Sequence, residues 1–146
     1  MQTFFSSLPE NVRVGPLDVS YLGIVCDNWR HYDPEYRPVV RKMLELNPST
    51  GVFVRNERGE EVLASMVLQS EHGGVGLIQT VPEHQRKGYA SIALAFQTRA
   101  IGKKGIMPHA HILVWNEGSN LLFQKHGYKV YGVSTWAILN KLDPEN

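Results

Sequence analysis

The chain has 146 residues, 15 Lys and Arg against 14 Asp and Glu, a formal net charge of +1 and a hydrophobic fraction of 42%. That length suits one domain with a sizeable core, and the near-neutral balance argues against nucleic acid, whose binders carry a strong basic excess. No apolar run approaches the roughly 20 residues that span a bilayer, the start Met1-Gln2-Thr3-Phe4-Phe5 lacks the layout of a signal peptide, and the lone Cys26 leaves no internal disulfide or Cys-based metal cluster to expect.

In chain order, Val12-Arg13-Val14 is a short first strand. Leu17 to Arg30 reads as a helix with Val19, Leu22, Cys26 and Trp29 at three-to-four spacing. Asp33-Pro34 starts a second helix, a cap followed by proline in the first turn, and Val40, Met43 and Leu44 form one face of that helix. Gly51 to Arg55 is a strand, Asn56-Glu57-Arg58-Gly59-Glu60 a hairpin turn, and Glu61 to Gln69 the returning strand. After the turn Glu71-His72-Gly73-Gly74, a strand over 76–81 ends at Pro82. A helix is expected from Gly88 to about Lys103, a fifth strand from Ile106 to Trp115, and a short helix from Gly118 to Lys125 closed by Gly127. Two more strand segments, Tyr128 to Tyr131 and Val133 to Leu139, complete the chain. This order predicts an α/β fold with a mixed central sheet.

The most telling stretch is Val81-Pro82-Glu83-His84-Gln85-Arg86-Lys87-Gly88-Tyr89-Ala90-Ser91. A strand that turns into a helix through glycine and small residues exposes unsatisfied N–H groups at the helix start, with about half an elementary charge of positive character. A pyrophosphate can sit there. Gly88 allows close approach, and Arg86 and Lys87 add positive charge beside it. Neither a Gly-x-Gly-x-x-Gly dinucleotide fingerprint nor a P-loop is present.

Further along, Asn116, Ser119, Leu122, Phe123, Lys125, Gly127 and Tyr128 stand in the register Asn-x-x-Ala-x-x-Leu-Tyr-x-Lys-x-Gly-Phe. With the glycine turn, this resembles the GNAT superfamily of N-acetyltransferases, and the element order matches that family over nearly the whole chain. A narrower resemblance rests on Asn47-Pro48-Ser49-Thr50-Gly51-Val52-Phe53, Thr80-Val81-Pro82-Glu83 and the Trp136 segment. These look like the C-terminal half of glycine N-acyltransferase-like proteins, which implies that full-length relatives carry an N-terminal half as well.

The resemblance implies a single GNAT domain over residues 1–146 with strands four and five splayed apart and flanked by helices. It implies an acyl-CoA co-substrate, acetyl-CoA or larger, and a small-molecule amine acceptor, glycine-like, with a protein N-terminus or lysine as the alternative. Thr80 and Val81 would offer backbone groups to the pantetheine arm. Gln85, Arg86, Lys87, Gly88, Tyr89, Ala90 and Ser91 would hold the pyrophosphate. Asn116, Ser119 and Phe123 would line the opposite wall. Glu83, in the turn where glycine N-acyltransferases carry a glutamate, would accept the amine proton, with His84 as the second candidate. Many members have a tyrosine where this chain has Phe123, which leaves water, Tyr128 or Ser119 to protonate the CoA thiolate. A CoA-binding or scaffold module that keeps the fold without catalysis is the rival reading. The resemblance implies an acceptor side at the loop 30–37, where Tyr32 and Tyr36 lie, and at the hairpin strands.

The remaining candidates carry less. His109 and His111 alternate as strand neighbours do, but no third ligand accompanies them, so ordinary histidines and no metal are expected. Cys26 reads as core packing. Lys103 and Lys104 suit a helix C-terminus. No membrane partner is expected, and an intracellular location, cytoplasmic or mitochondrial, is the default.

Overall fold

The computed structural model describes residues 8–136. Four strands, β1 (Val12–Gly15), β2 (Ser49–Arg55), β3 (Glu61–Gln69) and β4 (Val75–Thr80), form one antiparallel sheet in the order β1-β2-β3-β4. Helices α1 (Leu22–Asn28) and α2 (Arg37–Leu46) precede β2, and α3 (Tyr89–Lys103) and α4 (Glu117–Lys125) come after β4.

The sheet separates two apolar layers. Val52, Val54, Ala64 and Val67 pack with Ile92, Leu94 and Ile101 of α3 and Phe123 of α4. Phe53, Leu63, Met66 and Leu68 pack with Leu22, Val25 and Cys26 of α1 and Val40, Met43 and Leu44 of α2. The alternation Val52, Phe53, Val54 between layers is the two-residue period of a strand covered on both faces. Cys26, 1% exposed, is core as expected.

Local signals set several boundaries. Asp33 accepts a hydrogen bond from the Glu35 N–H and caps a single 3-10 turn over Pro34–Tyr36 that leads into α2. Asn56 Oδ1 accepts from the N–H groups of Arg58 and Glu60, which closes the β2–β3 hairpin as the sequence predicts. The first helix differs from its expected face. Residues Val19–Tyr21 form a 3-10 turn capped by Asp18, so Val19 is exposed and Val25 takes the buried position beside Leu22 and Cys26.

The expected strand over 106–115 is corrected to an extended segment. Its one ladder contact among the described residues is a parallel bridge from Ala110 to Val75, whose N–H donates to the His109 carbonyl at 2.7 Å. Pro108 removes a backbone donor there. A Cβ on Gly74 would lie 2.8 Å from that same carbonyl, so only glycine lets the two chains meet. Residues 128–131 and 133–136 likewise form no ladder among the described residues. The last part of that expected strand, 137–139, lies outside the described residues.

Candidate active site

The site is assembled at the C-terminal end of β4. Two residues of β4, Leu77 and Ile78, stand opposite Val67 alone, where the pairing shifts between Met66–Gln79 and Leu68–Gly76. This is a β-bulge, and Leu77 adopts a left-handed φ of 47° to make it. A bulge bends its strand, and after the Val75–Ala110 bridge no described backbone bond joins β4 to the next segment. The free edge of β4 is therefore open. Val81 N–H is bound to the Ala64 carbonyl of β3 at 2.9 Å, so alternation turns the Thr80 backbone towards the open edge. Of the pair expected to meet a pantetheine arm, Thr80 faces the open edge with its carbonyl taken at 3.3 Å by the Gln85 side chain, and Val81 has its N–H engaged in the sheet.

A cleft of about 130 Å³ lies at this edge, bordered by Ile78, Gln79, Thr80, Ala90, Gly118, Ser119 and Leu122. It brings β4, the first turn of α3 and the first turn of α4 together. Thr80, Ala90 and Ser119 of the predicted set border it. Asn116 caps α4 by accepting from the Ser119 N–H at 3.1 Å, which fixes where that helix begins. Phe123 is 3% exposed and packs edge-on against Tyr128 at 4.9 Å, so the core holds it and Leu122 takes the place on the cleft wall.

Between β4 and α3, Pro82–His84 makes a 3-10 turn and residues 85–88 enter the helix. Arg86 (φ 64°) and Gly88 (φ 83°) are left-handed on either side of Lys87. Such alternation makes neighbouring N–H groups converge into an anion-binding nest. Gly88 caps α3 without any side-chain hydrogen bond, and a Cβ there would meet nothing within 4 Å. The helix start is thus uncapped and open to solvent, which fits a bound phosphate. The side chains of Gln85 and Lys87 fold back onto the turn, on the carbonyls of Thr80 (3.3 Å) and Glu83 (3.0 Å). Ser91 lies one turn in, its hydroxyl 2.6 Å from His126 Nε2. Burial, and secondarily the charge of Lys125, lower the His126 pKa.

Glu83 is exposed on the 3-10 turn, three residues past Thr80, and its carboxylate makes no ion pair among the described residues. His84 stacks edge-on with Tyr89 at 6.2 Å. Tyr128 donates to or accepts from Thr98 at 2.7 Å, and burial raises its pKa, so the phenol stays protonated at neutral pH. Thr98 is nine residues beyond the start of α3, roughly 13 Å along the axis, so of the two hydroxyls considered as proton donors Ser119 alone borders the cleft. Tyr32 and Tyr36 pack on Trp29 at 6.2 and 5.5 Å, and Tyr36 bonds Glu71, which makes the 30–37 loop an aromatic cluster. Lys103 and Lys104 are exposed at the far end of α3, about 22 Å from its start. His109 and His111 lie 6.2 Å apart with His72 near His111, and no group of three ligating side chains suits a metal among the described residues.

Ile78, Gln79, Gly118 and Leu122 border the cleft outside the expected set, and His126, beside Ser91, lies outside that set as well. Gln79 interrupts the apolar run Leu77-Ile78-Gln79-Thr80-Val81, a signal that was visible. The Ser91–His126 pair joins residues 35 apart and had no local signal.

A family model described as FR47-like protein matches residues 50–137, which include β2 to β4, the glycine turn, α3 and α4. The chain belongs to the FR47-like family. No curated protein matches this FR47-like chain in sequence. Among solved structures, a Drosophila protein is 23% identical with a TM-score of 0.74 over 84% of this chain, which spans 41% of that one. AAC(6')-Iy in complex with a bisubstrate analogue, CoA-S-monomethyl-acetylneamine, is 14% identical with a TM-score of 0.70, covering 90% of this chain and all (100%) of that one. A GCN5-related N-acetyltransferase from Ralstonia eutropha JMP134 is 12% identical with a TM-score of 0.67, covering 88% of this chain and 99% of that one. The FR47-like chain therefore has the GNAT fold, with an antiparallel sheet flanked by helices.

Proposed function

We propose that this chain is an acyl-CoA-dependent N-acyltransferase that acylates a small amine, glycine-like in size. The observation that carries this reading is the open edge of β4 meeting the uncapped, glycine-led start of α3 beside one cleft. A similar fold in complex with a CoA-linked analogue supports a CoA thioester as co-substrate. Its residues fit that group. The Thr80 backbone can pair with the amides of an extended arm, and the 86–90 turn, with Arg86 and the Ser91 hydroxyl, can hold a pyrophosphate.

When bound, the thioester supplies an acyl carbon activated for attack. Glu83 takes a proton from the amine, a C–N bond forms, the C–S bond breaks, and the thiolate takes up a proton from water or Ser119. A thiol near pKa 8.5 leaves readily, so Phe123 in place of a tyrosine is compatible with turnover. The glycine preference rests on the resemblance of the 47–53 and 80–83 segments to glycine N-acyltransferase-like C-terminal halves. The fraction of the Drosophila protein that the chain spans supports reading residues 1–146 as one GNAT domain of such a two-part architecture.

Calorimetric titration with acetyl-CoA, benzoyl-CoA and free CoA, paired with turnover of Glu83→Gln, tests the proposal. Saturable binding by both proteins, with the variant slower by about 10²–10⁴-fold, is expected. Binding without turnover in the wild type would favour the non-catalytic module, and equal rates in both proteins over a wide pH range would remove Glu83 as the base.

A further inference from the structure

We infer that the Gln79 side-chain amide is the polar anchor for the acceptor, which presents a hydrogen-bond donor and acceptor on neighbouring groups as an α-amino acid does. This rests on the acyltransferase reading and assigns a residue to its acceptor side.

Gln79 pairs with Met66 of β3, and Met66 is fully buried in the layer beneath α1 and α2. Cross-strand partners share a face, so the Gln79 side chain lies on that side of the sheet. There, Nε2 and Oε1 are both buried and neither has a hydrogen-bond partner. Folded proteins rarely leave a buried amide unmet at both ends, because its lost hydration is not replaced. Gln97 in the same molecule shows the usual solution. It is fully buried, accepts from the Thr50 hydroxyl at 2.8 Å and donates to the Pro48 carbonyl at 2.8 Å. The fold satisfies its structural glutamine and leaves the one beside the cleft unsatisfied.

Place and chemistry agree. Gln79 borders the cleft, next to Thr80 and four residues before Glu83. The amide lies on the α1–α2 face, across the strand from the α3–α4 wall of the cleft, and nothing holds it, so an acceptor that reaches the open edge of β4 from that face can bond it without breaking a protein hydrogen bond. Oε1 then accepts from an N–H and Nε2 donates to an oxygen. The amine and carboxylate of an α-amino acid satisfy both ends, whereas a simple alkylamine leaves Nε2 unmet. Sites built on such groups discriminate strongly against ligands that lack the matching atom.

The test compares wild type and Gln79→Met, which keeps the length and removes the amide. Three quantities are read: melting temperature, acetyl-CoA affinity by calorimetry, and kinetics with glycine against ethylamine. The variant is expected to melt a few degrees higher, to bind acetyl-CoA within about twofold of wild type, and to show a KM for glycine raised about tenfold or more, with kcat changed far less. An unchanged glycine KM overturns the inference, as does a lowered melting temperature with intact kinetics, the mark of a structural amide bridged by water. Wild type that prefers ethylamine overturns the α-amino acid class alone. Failure of wild type to bind acetyl-CoA overturns the acyltransferase reading and this inference with it.

Discussion

At the scale of single residues, His126 links the protonation of the molecule to its stability. Its Nε2 meets the Ser91 hydroxyl at 2.6 Å, and burial followed by Lys125 depresses its pKa in the folded protein. The unfolded chain, near the ordinary 6.5, takes up a proton first as pH falls. The stability that neutral His126 contributes is therefore present above pH 6.5 or so and is lost on acidification below it. His126 is only partly buried, so solvent screens part of the effect and keeps it modest. Melting curves between pH 7.5 and 5 should fall less steeply for His126→Gln than for wild type. Parallel curves would assign the acid sensitivity to other groups. This proton also touches the helix start, since protonated His126 must donate to Ser91 rather than accept from it.

At the scale of elements, the turn into α3 separates conformational strain from ligand access. Gly88 has φ 83° and Gly59, in the β2–β3 hairpin, has φ 77°, and a Cβ at either would meet nothing within 4 Å. A side chain at either position is strained by about 1–2 kcal/mol. Gly88→Val and Gly59→Val should thus lower the melting temperature similarly, while Gly88→Val alone weakens acetyl-CoA binding, by about tenfold or more. Equal affinity in the two variants would show that the open space at Gly88 is not where the ligand sits. The elements themselves were unequally legible. The 61–69 strand, the hairpin and the buried face Val40, Met43, Leu44 arise from local alternation, turn chemistry and helical spacing. The start of the first helix did not, because Asp18 directs a 3-10 turn that the periodicity of apolar residues does not report. Residues 106–115 carry an apolar pattern suited to a strand, yet a strand requires a partner edge, and the bulge in β4 bends that edge away.

At the scale of the whole molecule, Gln97 joins three segments. Its amide ties α3 to Thr50 of β2 and to the Pro48 carbonyl preceding it, inside a layer otherwise apolar. Gln97→Met should cost about 1–3 kcal/mol, since it removes two bonds and leaves the Thr50 hydroxyl buried with no partner, while the Pro48 carbonyl keeps the Gln69 N–H at 3.0 Å. Chemical denaturation measures it directly; a loss below about 0.5 kcal/mol would mean that water replaces the amide.

The sequence by itself determined the GNAT resemblance, the glycine-led turn into α3 and the place of Glu83 in the turn after β4. Each rests on neighbouring residues: backbone hand and strand-to-helix punctuation are decided within a few positions of the chain. Only the tertiary structure decided that Phe123 is core while Leu122 borders the cleft, that Ser91 meets His126, and that Gln79 is left without partners. Those outcomes depend on which surfaces meet when α3 and α4 pack on a bulged β4, and burial and partner choice are properties of the packed molecule, shared among segments far apart in the chain.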